Sequence, residues 1–213
     1  MSPILFPAGV PISKRIFDLI IAIPGLILLS PLLGIVALIL RISQGRPIVF
    51  TQPRGGRNGK VFHIYKFRTM REAYDEQGQP LPDEKRISKL GRILRATSLD
   101  ELPELINVLR GEMSIVGPRP LMAKYLQRYS SEQMRRHEAN PGITGWAQIN
   151  GRNLLTWEDR FRLDIWYVDH WSLGLDIRIL VQTILKVIRR EGISEPGQAT
   201  MTEFMGSSPA REQ

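Results

Sequence analysis

From Ile16 to Leu40 the chain is almost continuously apolar, broken only by Asp18, Ser30 and small or proline residues. The run exceeds the roughly 20 residues a helix needs to cross a bilayer. A signal peptide fits poorly, because its apolar core usually spans about 7–15 residues and leads into a small-residue cleavage site. A buried core helix fits poorly too, since such helices seldom run this long without charge. Ser30-Pro31 sits mid-run, where proline removes a backbone donor and crowds the preceding turn, so a break is expected there. The Ser30 hydroxyl is placed to help satisfy the freed carbonyl, and Pro24 adds a second bend. Lys14 and Arg15 precede the run while Arg41 and Arg46 follow it. Basic flanks favour the cytoplasmic side. The pattern therefore predicts a re-entrant helix-break-helix over residues 14–41, with both ends on one face, in preference to a simple span.

Beyond the apolar run the period shortens. Residues 47–52 and Val61–Phe67 are β-prone and flank the basic, glycine-rich stretch 53–60, which predicts a β-hairpin with a long loop. The loop is not a Walker phosphate cradle: its glycine spacing is wrong, and Val61 follows Lys60 where Ser or Thr is required. Residues 72–86 are polar with Gly78, Pro80 and Pro82, an exposed excursion rather than a linker. A helix is predicted to open in 94–105 and to continue its apolar face through Leu109. Residues 113–116 form a short apolar strand or buried run, and 140–153 are rich in turn residues. From Leu175 to Arg190 Ile177, Leu180, Val181, Ile184 and Ile188 fall on one helical face, opposite Arg178, Gln182, Lys186 and Arg189. Such a helix suits anionic headgroups, and periodicity alone allows equally that its apolar face packs on the core. The fold class is α+β and mainly helical: a membrane helix-break-helix, a small hairpin and amphipathic interfacial helices. The expected divisions are an extension over 1–13, the membrane segment 14–41, a domain over 42–206 and a tail 207–213.

Composition narrows the partners. Hydrophobic residues at 43% and charged residues at 23% leave room for one segment in lipid and exclude a polytopic transporter and a disordered chain. A net charge of +8 calls for an anionic partner: nucleic acid, anionic lipid or a phosphorylated small molecule. No nucleic-acid-binding motif is present, so nucleic acid is not expected. There is no cysteine, which rules out disulfides and thiolate chemistry, and the three histidines lack metal-ligand spacing.

Three short stretches carry candidate chemistry. In Lys66-Phe67-Arg68-Thr69-Met70 strand alternation puts Lys66 and Arg68 on one face, where two cations suit a diphosphate and a solvated strand face is the plainer account. In Ser98-Leu99-Asp100-Glu101-Leu102-Pro103 two readings of the acidic pair stand side by side. Ser98 and Glu101 satisfy the capping-box pattern, with Asp100 at the positive end of the helix dipole; alternatively the pair is catalytic. Pro103 sits awkwardly for a helix capped at Ser98, and a start at Asp100 relieves this. In Gly117-Pro118-Arg119-Pro120 the two prolines hold Arg119 on a rigid support suited to bidentate phosphate recognition, where a structural turn is the default.

Taken together with the Ser30-Pro31 break, Pro141-Gly142-Ile143-Thr144-Gly145-Trp146 and Asn150-Gly151-Arg152, these motifs resemble the bacterial sugar transferase family in its small monotopic form. The similarity runs in order from about Lys14 to about Gly206. The resemblance implies a re-entrant membrane helix, a catalytic part on the cytoplasmic face of the bacterial inner membrane, and transfer of a sugar phosphate from a UDP-sugar to polyprenol phosphate. It further implies an Asp-Glu dyad formed by Asp100, the nucleophile and a metal ligand, and Glu101. A required Mg²⁺ comes with it, together with phosphate or nucleotide contacts at Arg95, Arg119, Lys66, Arg68, Pro118, Pro120 and Arg152. Which sugar is carried, and the oligomeric state, are open at this point.

Overall fold

A computed structural model of the chain describes residues 5–151, 155–189 and 203–206. The apolar run lies within a single helix, α1 (Ile12–Gln44), whose backbone stays helical through Pro24 and Pro31. Pro31 has no N–H to offer the carbonyl of Ile27, and the Ser30 hydroxyl donates to that carbonyl at 2.8 Å. The local repair expected at the Ser-Pro step is therefore present, while the helix continues across it. At 1.5 Å per residue α1 is about 50 Å long, well beyond the hydrocarbon thickness of a bilayer. Gly45, at φ +74°, ends it.

One side of α1 packs on the rest of the chain along its length. Ala22 joins a core with Leu105, Val108, Met113 and Ile179, and further on Val36 and Leu40 pack with Phe67 and Leu94. The other side presents a row of exposed aliphatic side chains, among them Ile20, Ile27 and Leu28 at 65–77% exposure. Apolar surface this extensive is not left facing water in a monomer.

The basic residues ahead of the run have a different role from a lipid flank. Lys14 is buried and donates to Asp176 at 2.8 Å and to the Val116 carbonyl at 2.9 Å. Arg15, also buried, donates to the carbonyls of Val108 and Leu109 at 2.6 and 2.8 Å. Asp18 accepts from Ser114 Oγ and the Ile115 amide. Three charges that looked like punctuation of a membrane segment thus fasten its first turns to the domain.

After α1 come β1 (Val49–Gly55) and β2 (Val61–Phe67), an antiparallel hairpin in register from Val49↔Phe67 to Gly55↔Val61. β1 runs three residues further than alternation suggested, and a 3₁₀ turn at Arg57–Gly59 closes the loop with Asn58 and Gly59 at positive φ. A short α2 (Asp83–Arg86) precedes α3 (Lys89–Ala96), capped by the Ser88 hydroxyl on the Gly91 amide. The single helix expected near 94–109 is instead divided: α3 stops at Ala96, a 3₁₀ turn occupies Leu99–Glu101, and α4 (Glu104–Leu109) follows Pro103.

β3 (Ser114–Val116) pairs in parallel with β4 (Gly142–Thr144), so part of the turn-rich stretch is a strand. The intervening chain includes α5 (Ser131–Met134), and α6 (Trp146–Ile149) follows β4. A β-carbon on Gly117 would lie 2.2 Å from the Asn140 carbonyl, so only glycine lets the chain leave β3 this close to β4. α7 (Trp157–Asp169) and α8 (Leu173–Ile188) complete the fold, capped by Thr156 and Ser172. α8 buries Asp176 and Ile179, with Leu175 and Leu180 against the core. The stripe of Ile177, Val181, Ile184 and Ile188 stays about half or more exposed. Core packing does not account for that stripe.

Candidate functional site

Ser98 is in the left-handed region at φ +56° and makes no side-chain cap, so the capping box suggested by Ser98 and Glu101 does not form. A non-glycine residue there costs on the order of 1 kcal/mol. This turn of backbone redirects the chain from α3 into the 3₁₀ turn that carries Asp100 and Glu101. Pro103 lies just outside α4, where its missing N–H costs nothing.

Glu101 Oε1 receives two cations: Lys66 Nζ at 2.5 Å and an Arg119 guanidinium nitrogen at 2.6 Å. Lys66 extends the inward face of β2 that begins with buried Phe62 and Ile64, which explains how a strand residue reaches the acid. It also lies 3.1 Å from Oε1 of Glu104, an almost fully buried carboxylate on α4 whose Oε1 has no aligned hydrogen-bond donor. Arg119 is held from behind. Arg136 donates to its carbonyl at 2.7 Å and pairs with buried Asp164 at 2.7 Å, while Arg54 donates to the Pro120 carbonyl at 3.2 Å. The Pro118 carbonyl accepts from the Gly142 amide.

These contacts divide the carboxylates by charge state. Burial alone would raise Glu101, but Arg119 and Lys66 outweigh it and hold the carboxyl well below the usual range. Burial pushes Glu104 up to about 7, with Lys66 only partly opposing. Asp100 is raised by burial and by the neighbouring Glu101 charge, with Lys66 and Arg95 pulling back. Glu101 in turn holds the Arg119 guanidinium firmly charged. Among the described residues no cation lies within ion-pair distance of the Asp100 carboxylate. It is a buried acid beside a saturated one.

The residues singled out from the sequence are only partly brought together. Lys66, Asp100, Glu101 and Arg119 converge. Arg95, on α3, donates to Thr69 Oγ1 at 3.0 Å and contributes its charge at Asp100. Pro118 and Pro120 frame Arg119 and lend their carbonyls to the support behind it. Arg68 goes elsewhere: β2 ends at Phe67, and the guanidinium of Arg68 turns to the carbonyls of Gln44, Gly45 and Arg46 at the end of α1. A cation there complements the helix dipole. Ser30 and Pro31 sit in the middle of α1, apart from the acids in role, and Arg152 lies outside the described residues. Sequence reasoning missed Glu104, Arg54, Arg136 and Asp164. For Glu104 the i,i+3 spacing from Glu101 was a usable signal; Arg136 and Asp164 are 28 residues apart and had none.

No group of three or more acidic, histidine or cysteine side chains able to hold a metal occurs among the described residues. Glu101 and Glu104 are engaged by Lys66, which leaves Asp100. Mg²⁺ is compatible with this arrangement, because it is commonly bound by one or two carboxylates with substrate phosphate oxygens and water completing the shell.

A match to the bacterial sugar transferase family covers residues 10–190. The uncharacterized sugar transferase EpsL of Bacillus subtilis (strain 168) is 51% identical over 196 residues, spanning 92% of this chain and 97% of that protein. The UDP-glucose:undecaprenyl-phosphate glucose-1-phosphate transferase of Escherichia coli (strain K12) is 42% identical over 81% of this chain, and the undecaprenyl-phosphate galactose phosphotransferase of Salmonella typhimurium 40% identical over 84%. The chain spans only 39% and 41% of the length of these two.

Proposed function

The chain belongs to the bacterial sugar transferase family and is a transferase, and from that premise we propose that it moves a sugar 1-phosphate from a UDP-sugar to undecaprenyl phosphate through a covalent aspartyl intermediate. The observation that carries this reading is the inequality within the acidic pair: Glu101 is neutralised by Lys66 and Arg119, while adjacent Asp100 has no ion-pair partner among the described residues. An Asp100 oxygen attacks the β-phosphorus of the donor as the bond to the bridging oxygen breaks, and UMP leaves. In the second half an oxygen of the lipid phosphate attacks the same phosphorus, the Asp100–phosphorus bond breaks, and polyprenol diphosphosugar departs with the carboxylate restored. Splitting one transfer into two spares the soluble donor and the lipid acceptor from reacting directly.

For both halves the barrier is repulsion between anions. Arg119, on its proline-framed turn and held by Arg136 and Arg54, and Arg95, anchored on Thr69, are positioned to receive phosphate charge with little reorganisation. Glu101 orients Lys66 and Arg119 rather than moving a proton: a carboxylate bound by two cations is a poor base. Mg²⁺ would be held by Asp100 together with substrate phosphate oxygens, and would supply Lewis-acid neutralisation of the transferring group.

The membrane arrangement we infer is supported by where α1 is fastened. Its first turns are tied to Val116 and Asp176, and Leu40 near its other end packs on Phe67 and Leu94 of the same globular part. Both ends of α1 are held by the same folded part, which favours placing them on one face of a bilayer. This supports a re-entrant α1 with its aliphatic face in lipid, the catalytic part on the cytoplasmic side, and the exposed stripe of α8 at the interface.

The test is a panel of UDP-sugars scanned for UMP release, coupled to intact-mass analysis. The expected outcome is UMP from one or a few donors and a sugar-phosphate adduct on Asp100; full turnover by Asp100→Asn would overturn the nucleophile. The absence of native cysteine makes single-cysteine labelling clean. Probes at Leu5 and Arg46 are expected to react from the same side, and opposite sides would establish a span.

A further inference from the structure

Next to the end of α1 lies a cavity of about 450 Å³ that shares no lining residue with the carboxylate centre. Arg71, Lys85, Arg86, Lys89 and Arg92 line it, and among the described residues no acidic one does. Arg86 has a partner, Asp83, at 3.7 Å. Among the described residues the other four side chains form no ion pair. Four unpaired cations around one hollow repel each other, and an anion in the hollow relieves that repulsion.

The position of the cavity selects the anion. Ser43 and Gln44, the last residues of α1, form one edge, directly after exposed Ile39 and Ile42. Exposed Ile93 follows Arg92 on α3. The apolar lining is aliphatic, Ile87 and Leu90, with no aromatic ring on which a nucleobase could stack. We propose that this cavity binds the phosphate headgroup of a membrane lipid whose chains run along the exposed aliphatic face of α1. The proposal rests on the membrane reading of α1 given above.

The site is built into the fold. α3 sits against residue 69 so closely that a β-carbon on Gly91 would lie 2.0 Å from the Thr69 carbonyl. Ser88 at the cavity edge donates to the same carbonyl, and Thr69 Oγ1 receives Arg95, whose charge is felt at Asp100. One residue's backbone and hydroxyl thus connect the wall of the cavity to the reacting centre.

The same phosphate chemistry could come from bulk phosphatidylglycerol or from the polyprenol phosphate acceptor, and the experiment separates them. Full-length protein in detergent micelles is titrated with fluorescent phosphatidylglycerol, then challenged with unlabelled phosphatidylglycerol, polyprenol phosphate or soluble glycerol 3-phosphate. The triple variant Arg71→Gln, Lys85→Gln, Lys89→Gln is expected to bind roughly tenfold or more weakly. A control with equal charge loss, Lys60→Gln, Lys124→Gln, Arg162→Gln, is expected to change binding less than about twofold by screened long-range charge alone. No loss in the cavity variant, or an equal loss in the control, overturns the site.

Displacement best achieved by polyprenol phosphate, with a raised KM for that acceptor in the cavity variant, identifies the acceptor as occupant. Displacement best achieved by phosphatidylglycerol, with KM unchanged, identifies the bulk lipid. Equal displacement by soluble glycerol 3-phosphate overturns the lipid assignment. UMP release without saturable lipid binding sinks the cavity and leaves the transferase reading standing; lipid binding without UMP release does the reverse.

Discussion

Two buried clusters of charge sit within this small fold, and they are built to opposite ends. At the start of α1, Lys14, Arg15 and Asp18 are each met by several partners, and Asp18 Oδ2 is the one side-chain polar atom of the three that is buried without a hydrogen bond. Around the acidic turn, Glu101 takes two cations, Glu104 is left half answered, and Asp100 has no ion-pair partner among the described residues. Burying charge is costly in both places. The first cluster recovers the cost as attachment. The second leaves part of it outstanding on Asp100 and Glu104, and buried acids perturbed in this way are candidates for a reacting centre.

The contrast is broken most severely at Asp100. Asp100→Asn is expected to lower the rate of UMP release at least about 10³-fold, with the thermal midpoint unchanged or slightly higher, because the change removes an unpaired buried acid. The mirror experiment is Lys14→Met, which removes the cation that pairs with buried Asp176 and Asp18. It is expected to destabilise the protein by about 3–5 kcal/mol, read as a lowered midpoint in detergent, while the folded fraction keeps its turnover. Turnover lost together with stability at Asp100, or retained stability at Lys14, would erase the distinction.

Glu101→Gln tests whether the paired acid orients its cations. It is expected to cost about 10²-fold in kcat, and the loss should be similar across the pH range, since an acid held below the usual range does not titrate there. A rate that instead tracked a new ionisation would indicate proton transfer by Glu101. Activity of the parent is expected to fall on acidification at a higher pH than for an ordinary carboxylate, because raised Asp100 must be ionised to attack.

The smallest effect belongs to Glu104. Its folded-state pKa lies near 7, above the ordinary 4.5, so its contribution is complete below the ordinary value and is lost as pH rises through 7. The parent is expected to lose about 1 kcal/mol between pH 6 and 8 from this group, a decline that Glu104→Gln should abolish. An equal decline in the variant would assign the titration elsewhere.

Much of the molecule was legible along the chain. The apolar run, the hairpin, the amphipathic period of α8 and the Ser30 repair of the Pro31 step follow from interactions between residues close in sequence. So does the candidacy of Asp100, Glu101 and Arg119, since each sits in a short motif. The capping box was a local inference that failed, because Ser98 adopts a left-handed conformation that no local preference favours. Arg68 was misplaced for a related reason: alternation holds within a strand, and β2 ends one residue before it.

By itself, then, the sequence determined the long apolar helix, the hairpin, α8 and the family, and nominated residues for the chemistry, because periodicity and short motifs are written in neighbouring positions. Tertiary structure alone decided which acid is paired and which is bare, that Lys14 and Arg15 fasten α1 instead of flanking it, and that the apolar stripe of α8 faces outward. Those outcomes depend on burial and on contacts between residues as far apart as Lys14 and Asp176, 162 positions along the chain, where no pattern in the sequence carries the distance.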